Sequence, residues 1–240
     1  MSHSNRPYVI CHMMSTIEGK ITGGDHTDIL DNYFDLYTET EDMLPPHTGW
    51  MCGRVTMQMF ADTTDDCSEK NHIGCATGQD YIAPHDGKLV MFGVDTKGTL
   101  RWKTNTITLT NVNEPLHLVI IVTSATPHEY LAYLQSKNIS YIATGGDDID
   151  FDILLPKIKA LFGVETLLLE GGGLLNGSVM QQSYIDEISL LLTPTIVNQT
   201  VAPSVFEHTG NTPVTIRRYA VLDIKQLKKH TVWIRWIKAK

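Results

Sequence analysis

Residues 166–173 read Thr-Leu-Leu-Leu-Glu-Gly-Gly-Gly, so a short apolar run ends at one carboxylate and three successive glycines. The length and apolarity of the run predict a buried strand, and the glycines predict a tight junction to a helix over 173–181. A strand that is apolar on both faces is typical of a parallel sheet covered by helices. This stretch therefore predicts an α/β fold.

The segments around this stretch repeat the same order of strand and helix. An apolar run over 118–122 precedes Thr126-Pro127-His128-Glu129, which combines a capping threonine, a proline at the first helical position and a glutamate three residues after the cap. Further strands are predicted at 7–14, 88–93, 99–110, 140–143 and 187–192, further helices at 28–40 and 152–162, and one or two β segments within 196–240. The alternation predicts a mainly parallel central sheet with helices on both faces and an antiparallel C-terminal portion.

The chain of 240 residues shows no domain boundary, so a single domain over 1–240 is predicted, with 61–86 as an insertion or long loop. No run approaches the roughly 18 apolar residues of a membrane helix, and the first residues lack the apolar core of a secretory signal. The four cysteines are 41, 15 and 8 residues apart, which predicts free thiols. We expect a cytoplasmic protein that does not bind membranes.

The formal net charge of −8 is unevenly distributed. The first hundred residues hold 6 basic and 15 acidic residues, whereas 217–240 hold 8 basic and one acidic residue. The basic segment contains the apolar run 231–237, which is typical of a strand with solvated lysines and arginines. This distribution excludes a nucleic-acid partner.

The carboxyl ends of the predicted parallel strands are where a ligand would bind. Thr123 and Ser124 follow one strand, Gly145 and Gly146 follow the next, and 171–173 follow a third. Glycines at such junctions let backbone N–H groups approach a phosphate at the positive end of a helix. The alternative is that these glycines only permit tight turns.

A second candidate site is Gly53-Arg54-Val55-Thr56, after the apolar residues 50–52. An arginine in the first turn of a helix opposes the helix dipole unless an anion binds there. Together, a glycine, a forked cation and a hydroxyl suit a phosphate. The alternative is an ordinary surface arginine.

A third candidate is the loop Thr16-Ile17-Glu18-Gly19-Lys20 after the first strand. Its carboxylate and ammonium could orient a polar substrate or transfer a proton, or form a solvated ion pair on a turn. Of ten histidines, His12 alone lies on a strand near this loop. No metal site is predicted, because the metalloprotease and zinc-deaminase signatures are absent. No G-x-G-x-x-G follows the first strand, which disfavours an ordinary Rossmann dehydrogenase.

Taken in order, these elements resemble the riboflavin-biosynthesis reductase family, the C-terminal reductase domain of the bifunctional deaminase-reductase. The similarity runs from residue 7 to about 194. It includes the family's loop of Ser or Thr, an aliphatic residue and Asp-Gly-Lys (here 16–20, with Glu18 in place of Asp), its Gly-Arg-x-Thr element (53–56), its Glu-Gly-Gly segment (170–173) and its Asp-Glu strand (186–187). The resemblance implies a three-layer fold of the dihydrofolate reductase type and a homodimer.

The resemblance also implies NADPH as hydride donor and a small-molecule substrate, 5-amino-6-(5-phosphoribosylamino)uracil, whose ribosyl group is reduced to ribityl at C1′. Lys20 and Glu170 would be catalytic, and Thr16, Glu18 and His12 would bind substrate. The cofactor would be bound by Gly53, Arg54, Thr56, Thr123, Ser124, Gly145, Gly146, Gly171, Gly172 and Gly173, with a cis peptide at Gly171-Gly172.

Between Lys20 and Arg54 the chain has no arginine, although the family usually places phosphate-binding arginines there. The same stretch holds seven acidic residues: Asp25, Asp28, Asp31, Asp35, Glu39, Glu41 and Asp42. Two alternatives therefore stand beside the riboflavin reaction. One is a related reductase of another carbonyl, imine or pterin-like compound, and the other is a nucleotide-binding regulator without turnover.

Overall fold

The computed structural model describes residues 5–23, 26–62, 79–86, 88–208 and 216–239, the side chains of 26–31 excepted. The chain forms two compact units. The first consists of Met1–Pro7 and Thr48–Glu165, and the second of Tyr8–His47 and Thr166–Lys240. The expectation of a single domain over 1–240 stays a prediction.

Ten strands and five helices are formed by the described residues. In chain order they are β1 (Tyr8–Thr16), α1 (His26–Asp42), β2 (Gly49–Gly53), α2 (Arg54–Met57), β3 (Val90–Val94), β4 (Thr106–Ile107), β5 (Leu116–Val122), α3 (His128–Ser136), β6 (Ser140–Ala143), α4 (Phe151–Phe162), β7 (Thr166–Leu169), α5 (Gly173–Gln181), β8 (Glu187–Thr193), β9 (Tyr219–Gln226) and β10 (Val232–Lys238).

The first unit is built on four parallel strands. Strand β3 lies between β2 and β5, and β6 pairs with β5, while the short β4 pairs with the beginning of β5 in the antiparallel sense. All seven residues of β5 are buried. Burial on both faces explains why six of the seven residues of this strand are apolar, His117 being the exception, rather than every second one.

The second unit combines parallel and antiparallel pairs. Strand β1 lies between β7 and β8 and runs parallel to both. Strand β10 is antiparallel to β8, and β9 is antiparallel to β10. The predicted α/β class, mainly parallel with an antiparallel C-terminal portion, is confirmed.

Several predicted elements are confirmed with their bounds, namely the strands at 140–143 and 166–169 and the helix at 173–181. Helix α4 begins one residue before the predicted start because Asp150 caps it. The Asp150 carboxylate accepts the backbone N–H groups of Asp152 at 2.8 Å and Ile153 at 3.3 Å. Gly163, with φ of 67°, ends the helix in the left-handed conformation.

The predicted strand over 99–110 is wrong, since only Thr106–Ile107 pair as a strand. The preceding backbone N–H groups are bound by side chains instead of by a neighbouring strand. The Asp95 carboxylate accepts those of Thr99 and Leu100 at 2.7 and 2.8 Å, and the Tyr133 hydroxyl accepts that of Trp102 at 2.7 Å. These side-chain acceptors replace the sheet ladder.

The predicted cap of α3 by Thr126 is also wrong. The helix begins at His128, and its N-cap residue, Pro127, provides no side-chain hydrogen bond. The Thr126 hydroxyl instead accepts the N–H of Thr123 at 3.0 Å and donates to the carbonyl of Thr96 at 2.8 Å. Thr126 therefore fixes the loop after β5 rather than the helix.

Most of the predicted insertion at 61–86 lies outside the described residues, namely 63–78. In its described part, Tyr81 pairs with Tyr141 as an isolated bridge. Cys11 is a free, buried thiol, and Cys52 is also buried. No helix of the described chain is long and apolar enough to cross a membrane.

Candidate functional site

The cofactor candidates of the first unit lie along one edge of its parallel strands. Gly53 ends β2, Thr123 and Ser124 follow β5, and Gly145 and Gly146 lie just beyond β6. The last two junctions are linked, because the Ser124 N–H donates to the Gly146 carbonyl at 3.0 Å. The carboxyl ends of parallel strands are where α/β proteins bind ligands.

Thr123 carries a polar atom without a partner in the described structure. Its side chain is 4% exposed, and its Oγ1 has no hydrogen bond. A buried hydroxyl in this state is costly, so it points to a ligand that the hydroxyl would bind. Nearby Gly145 has φ of 80° and open space where a Cβ would be. Both features fit a nucleotide at this edge.

Arg54 is the first residue of the four-residue helix α2, and Gly53 is its N-cap. The Arg54 side chain is half-buried and makes no hydrogen bond or ion pair with the residues that the structure describes. Thr56 lies on the same short helix and is half-buried. A forked cation in this state is available to bind a phosphate.

The catalytic and substrate candidates of the second unit also lie at the carboxyl ends of parallel strands. Thr16 ends β1 and Glu170 directly follows β7. The Thr16 hydroxyl accepts the Lys20 N–H at 3.1 Å, and the Thr16 N–H donates to the Lys20 carbonyl at 2.9 Å. Gly19, with φ of 80°, permits this turn.

The loop of residues 16–20 is fastened to the chain segment after β8. The Glu18 carboxylate accepts the N–H groups of Val197 at 3.0 Å and Asn198 at 3.2 Å. The Lys20 ammonium donates to the Ala202 carbonyl at 2.6 Å. Glu18 and Lys20 therefore each bind backbone groups of that segment.

The three glycines after Glu170 have different surroundings. A Cβ on Gly171, whose φ is 84°, would lie 2.9 Å from the Met13 methyl group, and one on Gly173 would overlap the Ser204 carbonyl. Only Gly172 has room, with its nearest neighbour at 3.9 Å, and it is the N-cap of α5. The predicted cis peptide at Gly171-Gly172 is confirmed.

Glu170 is half-buried and is hydrogen-bonded to a tyrosine of α1. The Tyr37 hydroxyl lies 2.9 Å from Glu170 Oε1 and 3.0 Å from the His12 carbonyl oxygen. The Tyr37 ring stacks on His12 with 4.2 Å between ring centroids. These contacts join α1 to the end of β7 through β1.

His12 is fully buried, and both of its ring nitrogens are hydrogen-bonded. Nε2 lies 3.2 Å from the Tyr37 carbonyl oxygen, which can only accept, so Nε2 carries the hydrogen of the neutral ring. Nδ1 then accepts from the Ser189 hydroxyl at 2.9 Å, and Ser189 accepts the Trp233 indole N–H at 2.8 Å. Burial lowers the pKa of His12 to about 4, which keeps the ring neutral.

The carboxyl of Glu170 has an unusual affinity for its proton. Burial, followed by the negative charge of Glu41, raises the pKa of Glu170 to about 8, while the hydrogen bond with Tyr37 acts in the opposite direction. Glu41 is 4% exposed and lies 3.4 Å from Nε2 of His47. Burial opposes charging of His47, but its bonds to Glu41 and the Pro45 carbonyl raise its pKa above the ordinary value. These effects favour the protonated form of Glu170.

Sequence reasoning missed Tyr37, Glu41, Ser189 and Trp233. It placed Tyr37 within the helix predicted at 28–40 but gave no role to its hydroxyl. The spacing of Tyr37 and Glu41, four residues apart on one helix face, was a usable signal. Among the described residues, no three His, Cys, Asp or Glu side chains are grouped to hold a metal ion.

A family comparison covers most of the chain. Residues 7–232 match the model of the RibD C-terminal domain. The chain belongs to the RibD C-terminal domain family. This match confirms the family resemblance seen in the motifs at 16–20, 53–56 and 170–173.

Two curated relatives of this RibD C-terminal domain chain are each named 2,5-diamino-6-ribosylamino-4(3H)-pyrimidinone 5′-phosphate reductase. The protein of Aquifex aeolicus is 31% identical over 86 residues, which are 36% of this chain and 38% of the relative. That of Methanothermobacter thermautotrophicus is 33% identical over 86 residues, or 36% and 39% of the two chains. The matched stretch thus spans less than half of each relative.

Solved structures show the same fold at low sequence identity. A pyrimidine reductase-like protein of Corynebacterium diphtheriae gives a TM-score of 0.66 at 13% identity, covering 98% of this chain and 93% of that one. The riboflavin biosynthesis reductase Rib7 of Saccharomyces cerevisiae gives 0.58 at 14% identity, covering 100% and 93%. These similarities confirm the dihydrofolate reductase-like architecture.

Proposed function

We propose that this chain is an NADPH-dependent reductase of riboflavin biosynthesis, acting on a ribosylamino-pyrimidine 5′-phosphate and converting its ribosyl group to ribityl. Family membership and the names of the curated relatives support the reaction class. The observation that carries the proposal is the half-buried Glu170 carboxyl at the carboxyl end of β7, which is hydrogen-bonded to the Tyr37 hydroxyl at 2.9 Å and whose pKa is raised by burial and by the charge of Glu41. Opening a ribose ring to an imine needs such a proton donor.

The proposed cofactor residues divide between adenosine and pyrophosphate. Arg54 and Thr56 would bind the 2′-phosphate, and the unpartnered hydroxyl of Thr123 and that of Ser124 would hold the adenosine portion. Gly172, with its open N-cap position at α5, would receive the pyrophosphate, and Gly145 and Gly146 would let backbone approach the nucleotide. When bound, NADPH supplies the hydride that saturates C1′.

The proposed chemistry assigns a proton to Glu170 and substrate positioning to the loop of residues 16–20. Glu170 gives its proton to the ribose ring oxygen as the C1′–O bond breaks and the glycosidic nitrogen forms a double bond to C1′. Lys20 and Glu18, held in place by the segment after β8, would orient the sugar and pyrimidine, with Thr16 closing the turn. His12 has no exposed atom, so its part is to hold the Tyr37 ring.

A homodimer is part of the proposal, and one surface of the second unit suits it. Side chains facing one side of β8, β10 and β9 are apolar and only partly buried, while Leu191 and Trp233 on the other side are fully buried. Ile234 of β10 lies beside Leu190 of β8 and Ile224 of β9, and Trp236 of β10 lies beside Val221 of β9. Ile224 and Val221 are 58% and 59% exposed. A second copy covering this face would bury them.

We also infer a cytoplasmic location, which the free thiol of Cys11 supports. Fractionation of expressing cells tests this inference, and recovery outside the cytoplasm would contradict it.

The function is tested by mixing purified protein with NADPH and the ribosylamino-pyrimidine phosphate and following the absorbance of the reduced nicotinamide. We expect oxidation that depends on both compounds. Binding of NADPH without oxidation, repeated with the diamino-pyrimidinone and amino-uracil substrates, would contradict the riboflavin reaction. Oxidation by another carbonyl, imine or pterin alone would favour a related reductase, and failure to bind NADPH would contradict the reductase proposal.

A further inference from the structure

The Tyr37 hydroxyl has two acceptors but one hydrogen. Its oxygen lies 3.0 Å from the His12 carbonyl oxygen and 2.9 Å from Glu170 Oε1. A carbonyl oxygen and an ionised carboxylate can only accept, whereas a protonated carboxyl group can also donate. The bond between Tyr37 and Glu170 can therefore reverse its direction when the charge of Glu170 changes.

Each charge state of Glu170 favours one orientation of the Tyr37 O–H bond between the His12 carbonyl and the Glu170 carboxyl. When Glu170 is protonated, Tyr37 donates to the His12 carbonyl and accepts the carboxyl hydrogen. When Glu170 is ionised, the Tyr37 hydrogen is drawn to the carboxylate, because a hydrogen bond to a charged acceptor is about twice as strong as a neutral one. The two arrangements differ by rotation of one O–H bond.

The surroundings of Glu170 make this hydroxyl important to its ionised form. Glu41 on α1 contributes a negative charge, which the neighbouring His47 partly neutralises when it is protonated. The neutral ring of His12 on β1 contributes no charge. The Cys11 thiol on β1 is fully buried, and burial with the charge of Glu170 raises its pKa. No described side chain other than Tyr37 hydrogen-bonds the Glu170 carboxyl.

The ring of Tyr37 is fixed independently of its hydroxyl. It stacks on His12 at 4.2 Å with 22° between the planes, and His12 is anchored by Ser189 and by the Tyr37 carbonyl. A phenylalanine would keep this stacked position. The hydroxyl can therefore be removed without removing the ring that packs there.

We propose that Tyr37 is a positioning residue for proton release by Glu170. As the carboxyl ionises, the Tyr37 O–H bond rotates, and its hydrogen bond to the His12 carbonyl is replaced by one to Glu170 Oε1. This inference rests on the proposed function for its catalytic meaning, but the hydrogen-bond exchange itself is a property of the protein alone. Tyr37 lowers the barrier to proton transfer by supplying a donor to the carboxylate that forms.

The test is Tyr37→Phe, studied without substrate by the carbon-13 resonance of the Glu170 carboxyl, assigned by its absence in Glu170→Gln. Loss of the Tyr37 hydroxyl removes more stabilisation from the ionised carboxylate of Glu170 than from its neutral carboxyl. We expect the pKa of Glu170 to rise by about one, a tenfold change in its dissociation constant. A pKa of Glu170 that is unchanged or lower in Tyr37→Phe would overturn the proposal.

The matched control is Tyr33→Phe, which removes a hydroxyl from the same helix one turn earlier and should leave the pKa of Glu170 unchanged. With substrate, Tyr37→Phe should lower kcat about tenfold, change KM less than about twofold, and move the alkaline limb of the pH profile upward with the carboxyl. A change in KM alone would contradict the positioning role. If the carboxyl titrates as expected but no reduction occurs, the proposed function fails while the exchange of hydrogen bonds stands.

Discussion

His12 and Ser189 are hydrogen-bonded across the neighbouring strands β1 and β8, with 2.9 Å between Nδ1 and Oγ. Ser189 also accepts the indole N–H of Trp233 at 2.8 Å, so one hydroxyl satisfies two buried nitrogen atoms. The network positions the ring on which Tyr37 stacks.

Ser189→Ala should leave both of those nitrogen atoms without a partner. At about 1–3 kcal/mol for each of the two unsatisfied groups, we expect the free energy of unfolding to fall by about 2–6 kcal/mol in urea denaturation. The control is Ser178→Ala, because the exposed Ser178 bonds only within its own helix, to Leu174; its effect should stay within about 0.5 kcal/mol. Similar losses in the two variants would contradict the network.

Glu170→Gln should change stability in a pH-dependent way. An acid whose pKa rises from 4.5 to about 8 on folding is ionised first in the unfolded state, so it destabilises the fold increasingly as the pH rises through that window. Relative to the parent, the variant should therefore gain a few kcal/mol in free energy of unfolding between about pH 5 and about pH 8. Glu39→Gln, on an exposed side chain of α1, is the control. A constant difference across this range would contradict the raised pKa.

Arg54→Ala tests the assignment of Arg54 to the 2′-phosphate. Loss of a charge-assisted contact should weaken NADPH binding by about 1.5–3 kcal/mol while NADH binding changes little, as measured by calorimetry. Arg218→Ala, on an exposed arginine of the second unit, should affect neither cofactor. Equal weakening of both cofactors would place Arg54 elsewhere in the site.

Ile224→Lys tests the proposed dimer face. A charge on this exposed β9 residue would be buried at the interface without a partner, so the sedimentation coefficient should shift from that of a dimer to that of a monomer. Ile153→Lys, on a 41% exposed residue of α4, provides the matched control and should remain dimeric. A dimer in both variants would exclude this face.

The fold was largely predictable because apolar runs and glycines report burial and chain reversal. The run 166–169 and the glycines that follow it predicted β7, its junction and α5 with their observed bounds. The strand over 99–110 was wrong because Asp95 and Tyr133 bind its backbone N–H groups, and apolarity alone does not reveal such partners. The Thr126 cap was wrong for a related reason, since its hydroxyl binds the Thr96 carbonyl.

The site was predictable where it depends on motifs and not where it depends on packing. Glu170 follows directly from the Glu-Gly-Gly segment. The partnership of Glu170 with Tyr37 joins residues 133 positions apart, and the buried Glu41 that raises its pKa lies in an acidic stretch that reads as solvated surface. Only the tertiary structure distinguishes Glu41 from its exposed neighbour Glu39.

The most direct test of the proposed reaction uses NADPH deuterated at the reactive position of its nicotinamide, incubated with the enzyme and the ribosylamino-pyrimidine 5′-phosphate. The proposal predicts a ribityl product that carries one deuterium at C1′, located by mass spectrometry and NMR, with the second new hydrogen on oxygen and exchangeable with solvent. A product without deuterium at C1′, or the substrate recovered unchanged while NADPH is bound, would contradict it.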